Sequence, residues 1–151
     1  MSACRFFASD YPLPEFAPSK EYPLEINIDT GEIYDGDADD NYFLQNFAEV
    51  DCYSKKRYGV SLEWRYTDGR AVQLIEYIKT VLQKTKTIEF WHVWLMDYYE
   101  FEDRPYVHKK VISVDELTTE HIRELDEAVI WNTPDKMYPE RPSFYCLTIS
   151  R

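Results

Sequence analysis

Apolar and polar residues alternate along Leu24-Glu25-Ile26-Asn27-Ile28-Asp29, the period-two pattern of a half-buried strand. Asp29-Thr30-Gly31-Glu32 then supplies turn chemistry, and Ile33-Tyr34 begins a return, so the pattern predicts a hairpin. A first short strand is expected over residues 4–9. Between 11 and 23, Pro12, Pro14, Pro18 and Pro23 rule out helix and ladder pairing, leaving an extended surface segment. Residues 42–47 are aromatic without a clear period. Residues 58–66 read as a strand with Val60, Leu62 and Trp64 on one face.

The period then changes. Ala71, Leu74, Ile75, Ile78, Val81 and Leu82 recur at spacings of three and four and predict a helix over 69–84, capped by Thr67 or Asp68. Residues 88–96, Ile-Glu-Phe-Trp-His-Val-Trp-Leu-Met, are apolar on both faces, as a strand covered on both sides would be. Residues 106–112 form another strand, expected to pair with 88–96 as a hairpin. Ser113 followed by Glu116 fits a capping box, and Thr118 or Thr119 offers a second start for a helix reaching about 128. Residues 131–142 hold three prolines and read as a long loop. Residues 143–150 alternate again and close the chain as a strand. Strands first, then helix, hairpin, helix and strand, predict an α+β fold in one domain, 1–151. Its mainly antiparallel sheet should have five to seven strands, with 88–96 near the middle and two helices packed on one face.

Composition adds material and sign. Thirteen Tyr, eight Phe and four Trp in 151 residues are ample for a packed core. The formal net charge is −11. Residues 1–60 carry five basic and twelve acidic side chains, 61–110 eight of each, and 111–151 four and eight, so the acidity belongs to the two ends. Such a surface repels phosphate backbones and attracts basic partners or cations. Lys55-Lys56-Arg57 is the only basic run, which argues against nucleic-acid binding. No apolar run approaches the length of a membrane span, and a leader's apolar stretch is missing, so a cytoplasmic protein is expected. Cys4, Cys52 and Cys146 lack metal or disulfide spacing and read as half-buried thiols. Cys4 and Cys146 are candidates for neighbouring strands.

Three constellations remain. Asp35, Asp37 and Asp39 begin a loop as a calcium-binding loop begins, but Asp40 stands where Gly is needed and Asn46 where the closing Glu is needed. A solvated acidic turn, or at most a weak cation site, is expected. In the second, a hairpin turn centred near Glu100 would set His92 opposite His108, with Asp97, Glu102 and Arg104 at the same end. Those five residues are the candidates for acid–base or metal chemistry, although one residue of slip would part the two histidines. A packed structural His92 is the simpler expectation. The third is a surface: Tyr98, Tyr99 and Phe101 amid acidic residues, with Trp131, Tyr138 and Arg141 in the proline-rich loop, have the make-up of an interface.

There is no G-x-S-x-G, and the four glycines form no phosphate cradle, so no cofactor is expected. The remaining nucleophile, Cys146 with His92, suffers from strand burial, which raises a thiol pKa. His121 is expected to be solvent-facing and structural. The functional expectation is a binding or inhibitory module for a basic protein, of the physical kind that immunity proteins exemplify. A small enzyme or metal protein at the His92/His108 hairpin is the alternative.

Overall fold

The computed structural model describes residues 2–95, 106–128 and 143–151. In chain order these form β1 (Ser2–Ser9), β2 (Glu25–Ile26), β3 (Ile33–Tyr34), β4 (Phe43–Asn46), β5 (Tyr58–Glu63) and α1 (Asp68–Leu82). They continue with β6 (Thr87–Leu95), β7 (Val107–Ser113), α2 (Thr119–Glu127) and β8 (Phe144–Ser150). Short 3-10 turns occupy Ala48–Cys52 and Val114–Glu116. Six strands make one mixed, mainly antiparallel sheet in the order β4-β5-β1-β6-β8-β7, and β2 pairs with β3 alone. The fold is α+β, as the periodicities predict.

β6 lies inside the sheet, between β1 and β8, which explains its apolarity on both faces. On one face Phe7, Phe90, Leu147 and Ile149 meet Leu74, Ile78 and Leu82 of α1 and Ile122 and Leu125 of α2. On the other, Phe6, Trp91, Val93 and Phe144 are covered by Val50 and Tyr53 from the turn at Ala48–Cys52 and the residue after it. Helix α1 starts where its cap predicts, with the Thr67 hydroxyl accepting from the Arg70 amide. Ser113 does cap a turn, accepting from the Asp115 amide, but that turn stops at Glu116. α2 begins at Thr119, and His121 Nδ1 accepts from the Thr118 amide at 3.1 Å. The half-buried His121 is therefore part of a helix start.

Two expectations about neighbours are corrected. β6 and β7 do not form a hairpin, because β8 is inserted between them, antiparallel to β6 and parallel to β7. The final strand is as apolar as β6, and placing it inside buries its two faces, whereas β7 with Lys109 and Lys110 suits an edge. Cys4 and Cys146 lie on β1 and β8 with β6 between them, about two strand spacings or ~10 Å apart. That is too far for a disulfide. All three cysteines are free. Among the described residues no helix is long and apolar enough to cross a membrane.

A third difference concerns β2 and β3. The alternation of residues 24–29 predicts a half-buried strand, yet every residue from 23 to 34 is exposed. The hairpin stands away from the body of the fold.

Candidate functional site

The acidic loop at the base of this hairpin is fixed by an arginine from α1. Arg70 is fully buried, and its guanidinium donates to both Asp35 carboxylate oxygens, Nη1 to Oδ2 at 2.9 Å and Nη2 to Oδ1 at 3.1 Å. Two further donors go to the backbone carbonyls of Ala38 and Arg65, both at 2.9 Å. Arg65 adds a second cation, bonded to Asp35 and to Asp37. Hydrogen bonds from Arg70, and then Arg65, hold the Asp35 carboxyl down at about 2, against the opposing effect of burial. The third carboxylate, Asp39, leans on the first turn of α1. A Cβ built on Gly69 would collide with it, so the glycine permits the close approach.

These contacts answer the cation expectation in chemical terms. Asp35 and Asp37 meet arginines, and Asp39 packs at a helix N-terminus, where a carboxylate is favoured. Among the described residues no three His, Cys, Asp or Glu side chains converge as metal ligands would.

Beside the clasp lies an open groove of about 1010 Å3. The proline-rich segment from Pro18 to Leu24 makes one wall, and Phe43, Glu63, Trp64 and Arg65 make the other. The Tyr22 hydroxyl and the Ser19 hydroxyl both donate to Asp40, tying that wall to the acidic loop. The hydrogen bond from Tyr22 lowers the pKa of Asp40 and raises that of Tyr22. Above the groove the hairpin presents Leu24 at 64 %, Ile26 at 64 %, Ile28 at 92 % and Ile33 at 60 % exposure. Its geometry is set locally. Gly31 adopts φ +73°, its amide donates to the Asn27 carbonyl, and the Asn27 side chain accepts from the Asp29 amide.

The histidines occupy a different region. Cross-strand register sets Arg5, His92, Tyr145 and His108 in one row on the helix-covered face. Tyr145 separates the two imidazoles. Its ring stacks on His108 at 5.1 Å and meets His92 edge-on at 6.0 Å. The two side chains therefore share a face but do not pair, and the expected cross-strand contact is replaced by two contacts to a tyrosine. His92 is 2 % exposed. Its Nδ1 lies 2.9 Å from the Leu125 carbonyl, which can only accept, so Nδ1 carries the proton. Nε2 is then a buried lone pair without a hydrogen-bond partner among the described residues. Burial lowers the His92 pKa and keeps the ring neutral.

Arg5 and Trp64 complete the end of α2. Arg5 Nη2 donates to the Asp126 carbonyl at 3.0 Å, and Trp64 Nε1 donates to Asp126 Oδ1 at 2.8 Å. Arg5 Nε also lies 3.0 Å from Asp126 Oδ1, a contact of charge without hydrogen-bond geometry. His92 and Arg5 thus satisfy carbonyls that a helix C-terminus leaves unpaired. Cys146 points to the opposite face, against Trp91, so it makes no pair with His92. Burial pushes its thiol up to about 12 and that of Cys4 to about 11, far from nucleophilic character.

Asp97, Glu102 and Arg104, and the interface candidates Tyr98, Tyr99, Phe101, Trp131, Tyr138 and Arg141, lie outside the described residues. The exposed aliphatic row of the hairpin was missed as a surface because alternation alone reads as half-buried. A second signal was available: between Lys20 and Lys55 the chain has ten Asp and Glu and no Lys or Arg. Comparison with protein-family models, with curated proteins and with solved structures returned no match.

Proposed function

We propose that this protein acts by binding a basic protein partner, as a neutralising or inhibitory module of the immunity type would. The observation that carries the reading is the coincidence of charge and exposure over residues 21–54. This stretch holds ten carboxylates and no Lys or Arg, and within it lies a hairpin with four exposed aliphatic side chains; Arg65 and Arg70, from outside it, engage only Asp35 and Asp37. Clustered apolar exposure rimmed by charge is typical of interaction sites. The acidic field would speed encounter with a cationic protein, and the apolar groups would set how long the complex lasts. The same field disfavours nucleic acid. A cytoplasmic setting is consistent with three free thiols.

The rival reading, a small enzyme using the histidines, draws on one observation, the unpartnered Nε2 of His92. It is the weaker, because neither histidine lines the groove and Nδ1 is committed to closing α2. Affinity capture from the native cytosol, followed by binding of each purified candidate, tests the proposal. The expected partner has a basic surface and an affinity that falls steeply as salt rises from about 50 to 500 mM. Partners that bind without salt dependence, or turnover of a small substrate that His92→Asn abolishes, would overturn it.

A further inference from the structure

We propose that the apolar face of the β2–β3 hairpin is the docking element of this protein, and that it seats in an apolar strip or cleft of a partner rimmed by Lys and Arg. The inference rests on the basic-partner reading and adds the element and the partner's surface chemistry.

Register places the apolar side chains together. Ile26 pairs with Ile33 across the hairpin, alternation carries Leu24 onto the same face, and Ile28 follows in the turn at 92 % exposure. Glu25, Asn27 and Glu32 fall on the other. A two-residue ladder is marginal by itself, yet its turn is held by the Asn27 and Gly31 bonds. Its base is held by the buried Asp35–Arg70 pair. The aliphatic row is therefore presented in one preset arrangement, which lowers the ordering cost of binding. It contributes little to the core, since all four side chains are at least 60 % exposed.

Charge selects the occupant. A second copy would bring Glu25, Asp29 and Glu32 against their own equivalents; the hairpin itself holds no Lys or Arg, and Arg65 and Arg70 at its base are already bonded to Asp35 and Asp37. Like charges brought together at an interface oppose association. A partner with cations around an apolar centre satisfies both parts of the surface. The groove at the hairpin's base, where Phe43 and Trp64 stand beside Glu63, Glu21, Lys20 and Arg65, is of mixed charge and continues the apolar surface through its rings.

The test uses the whole chain and three synthetic peptides of equal length: alternating Leu and Lys, Lys with Ser in place of Leu, and alternating Leu and Glu. Isothermal calorimetry at low salt should give binding of the Leu/Lys peptide at least about tenfold tighter than the Ser/Lys peptide, and none of Leu/Glu. Ile28→Ser combined with Ile33→Ser should erase that tenfold difference while leaving the circular dichroism spectrum unchanged. Amide exchange should slow over residues 24–34 on binding. Equal affinity for the two Lys peptides, unaltered discrimination in the double variant, or protection confined to other segments would each overturn the docking element while leaving the basic-partner reading intact. Absence of binding to either Lys peptide would overturn that reading together with the inference. Sedimentation showing a dimer that the double variant dissolves would assign the face to a second copy instead.

Discussion

Arg70 makes the case for how much a single buried side chain can organise. It gives four hydrogen bonds from a site with no solvent, two to Asp35 and two to carbonyls of the segments it joins. Removing it leaves the buried Asp35 carboxylate with the half-exposed Arg65 alone, so Arg70→Met should cost up to about 3–5 kcal/mol in chemical denaturation. Arg70→Lys should recover only part, because an ammonium cannot reproduce the fork. Asp35→Asn with Arg70→Met should cost less than the two single changes together. The pair also sets an acid limit. Asp35 holds its pKa at about 2, below the ordinary 3.8, so its contribution is complete above about pH 4 and drains as pH falls toward 2. Asp35→Asn should flatten the stability curve in that window. His92 works in a higher one. Its pKa is lowered in the fold, so the unfolded chain takes the proton first as pH drops below about 6.5, and stability declines from there. His92→Asn keeps a donor toward Leu125 and cannot titrate. Its denaturation midpoint should therefore depend less on pH between 7.5 and 5 than that of the native chain, and equal slopes would show that His92 is not held neutral.

Elements differ in what holds them, and the difference is measurable. Leu147 is fully buried in an interior strand, and Leu147→Ala should cost about 2–5 kcal/mol. Ile28→Ser in the hairpin should change stability by less than about 0.5 kcal/mol, because the isoleucine is 92 % exposed. Chemical denaturation of both variants checks the contrast. A large loss from Ile28→Ser would mean that the hairpin is covered by part of the chain and is not free to dock. Both helices and five of the six main-sheet strands were legible in the sequence, since period and apolarity follow from burial; β4 was not, because only Leu44 of its four residues is buried. α1 announced itself by Leu74, Ile78 and Leu82, and β6 by its two apolar faces. Strand order was not legible, because a hairpin between β6 and β7 and an inserted β8 satisfy the same local pattern; only the competition for interior places decides. For the same reason two histidines expected face to face are parted by Tyr145. The hairpin is the opposite case. Its alternation was plain, but a pattern states which residues share a face and not whether anything covers it. Where local pattern and observed burial disagree, function is the usual reason.

At the scale of the whole molecule, a net charge of −11 must be carried by a chain whose acidic residues cluster at both ends. Repulsion among unpaired carboxylates favours expansion, so screening should stabilise the fold. Raising NaCl from about 10 to 150 mM shortens the screening length from about 30 to 8 Å and should raise the melting temperature. The identity of a divalent ion discriminates further. Diffuse screening depends on charge, whereas a built site also depends on ligand number and cavity size. The carboxylates best placed to form one are already engaged: Asp35 by Arg70 and Arg65, Asp37 by Arg65, and Asp40 by Tyr22 and Ser19. Ca2+ and Mg2+ at equal ionic strength should therefore raise the melting temperature equally. A rise specific to Ca2+, abolished by Asp37→Asn, would mean that the ion displaces Arg65 from the loop. The arginine clasp would then be one of two states of this region. Equal shifts leave the acidic surface as a field without a resident cation, open to the cations of a partner.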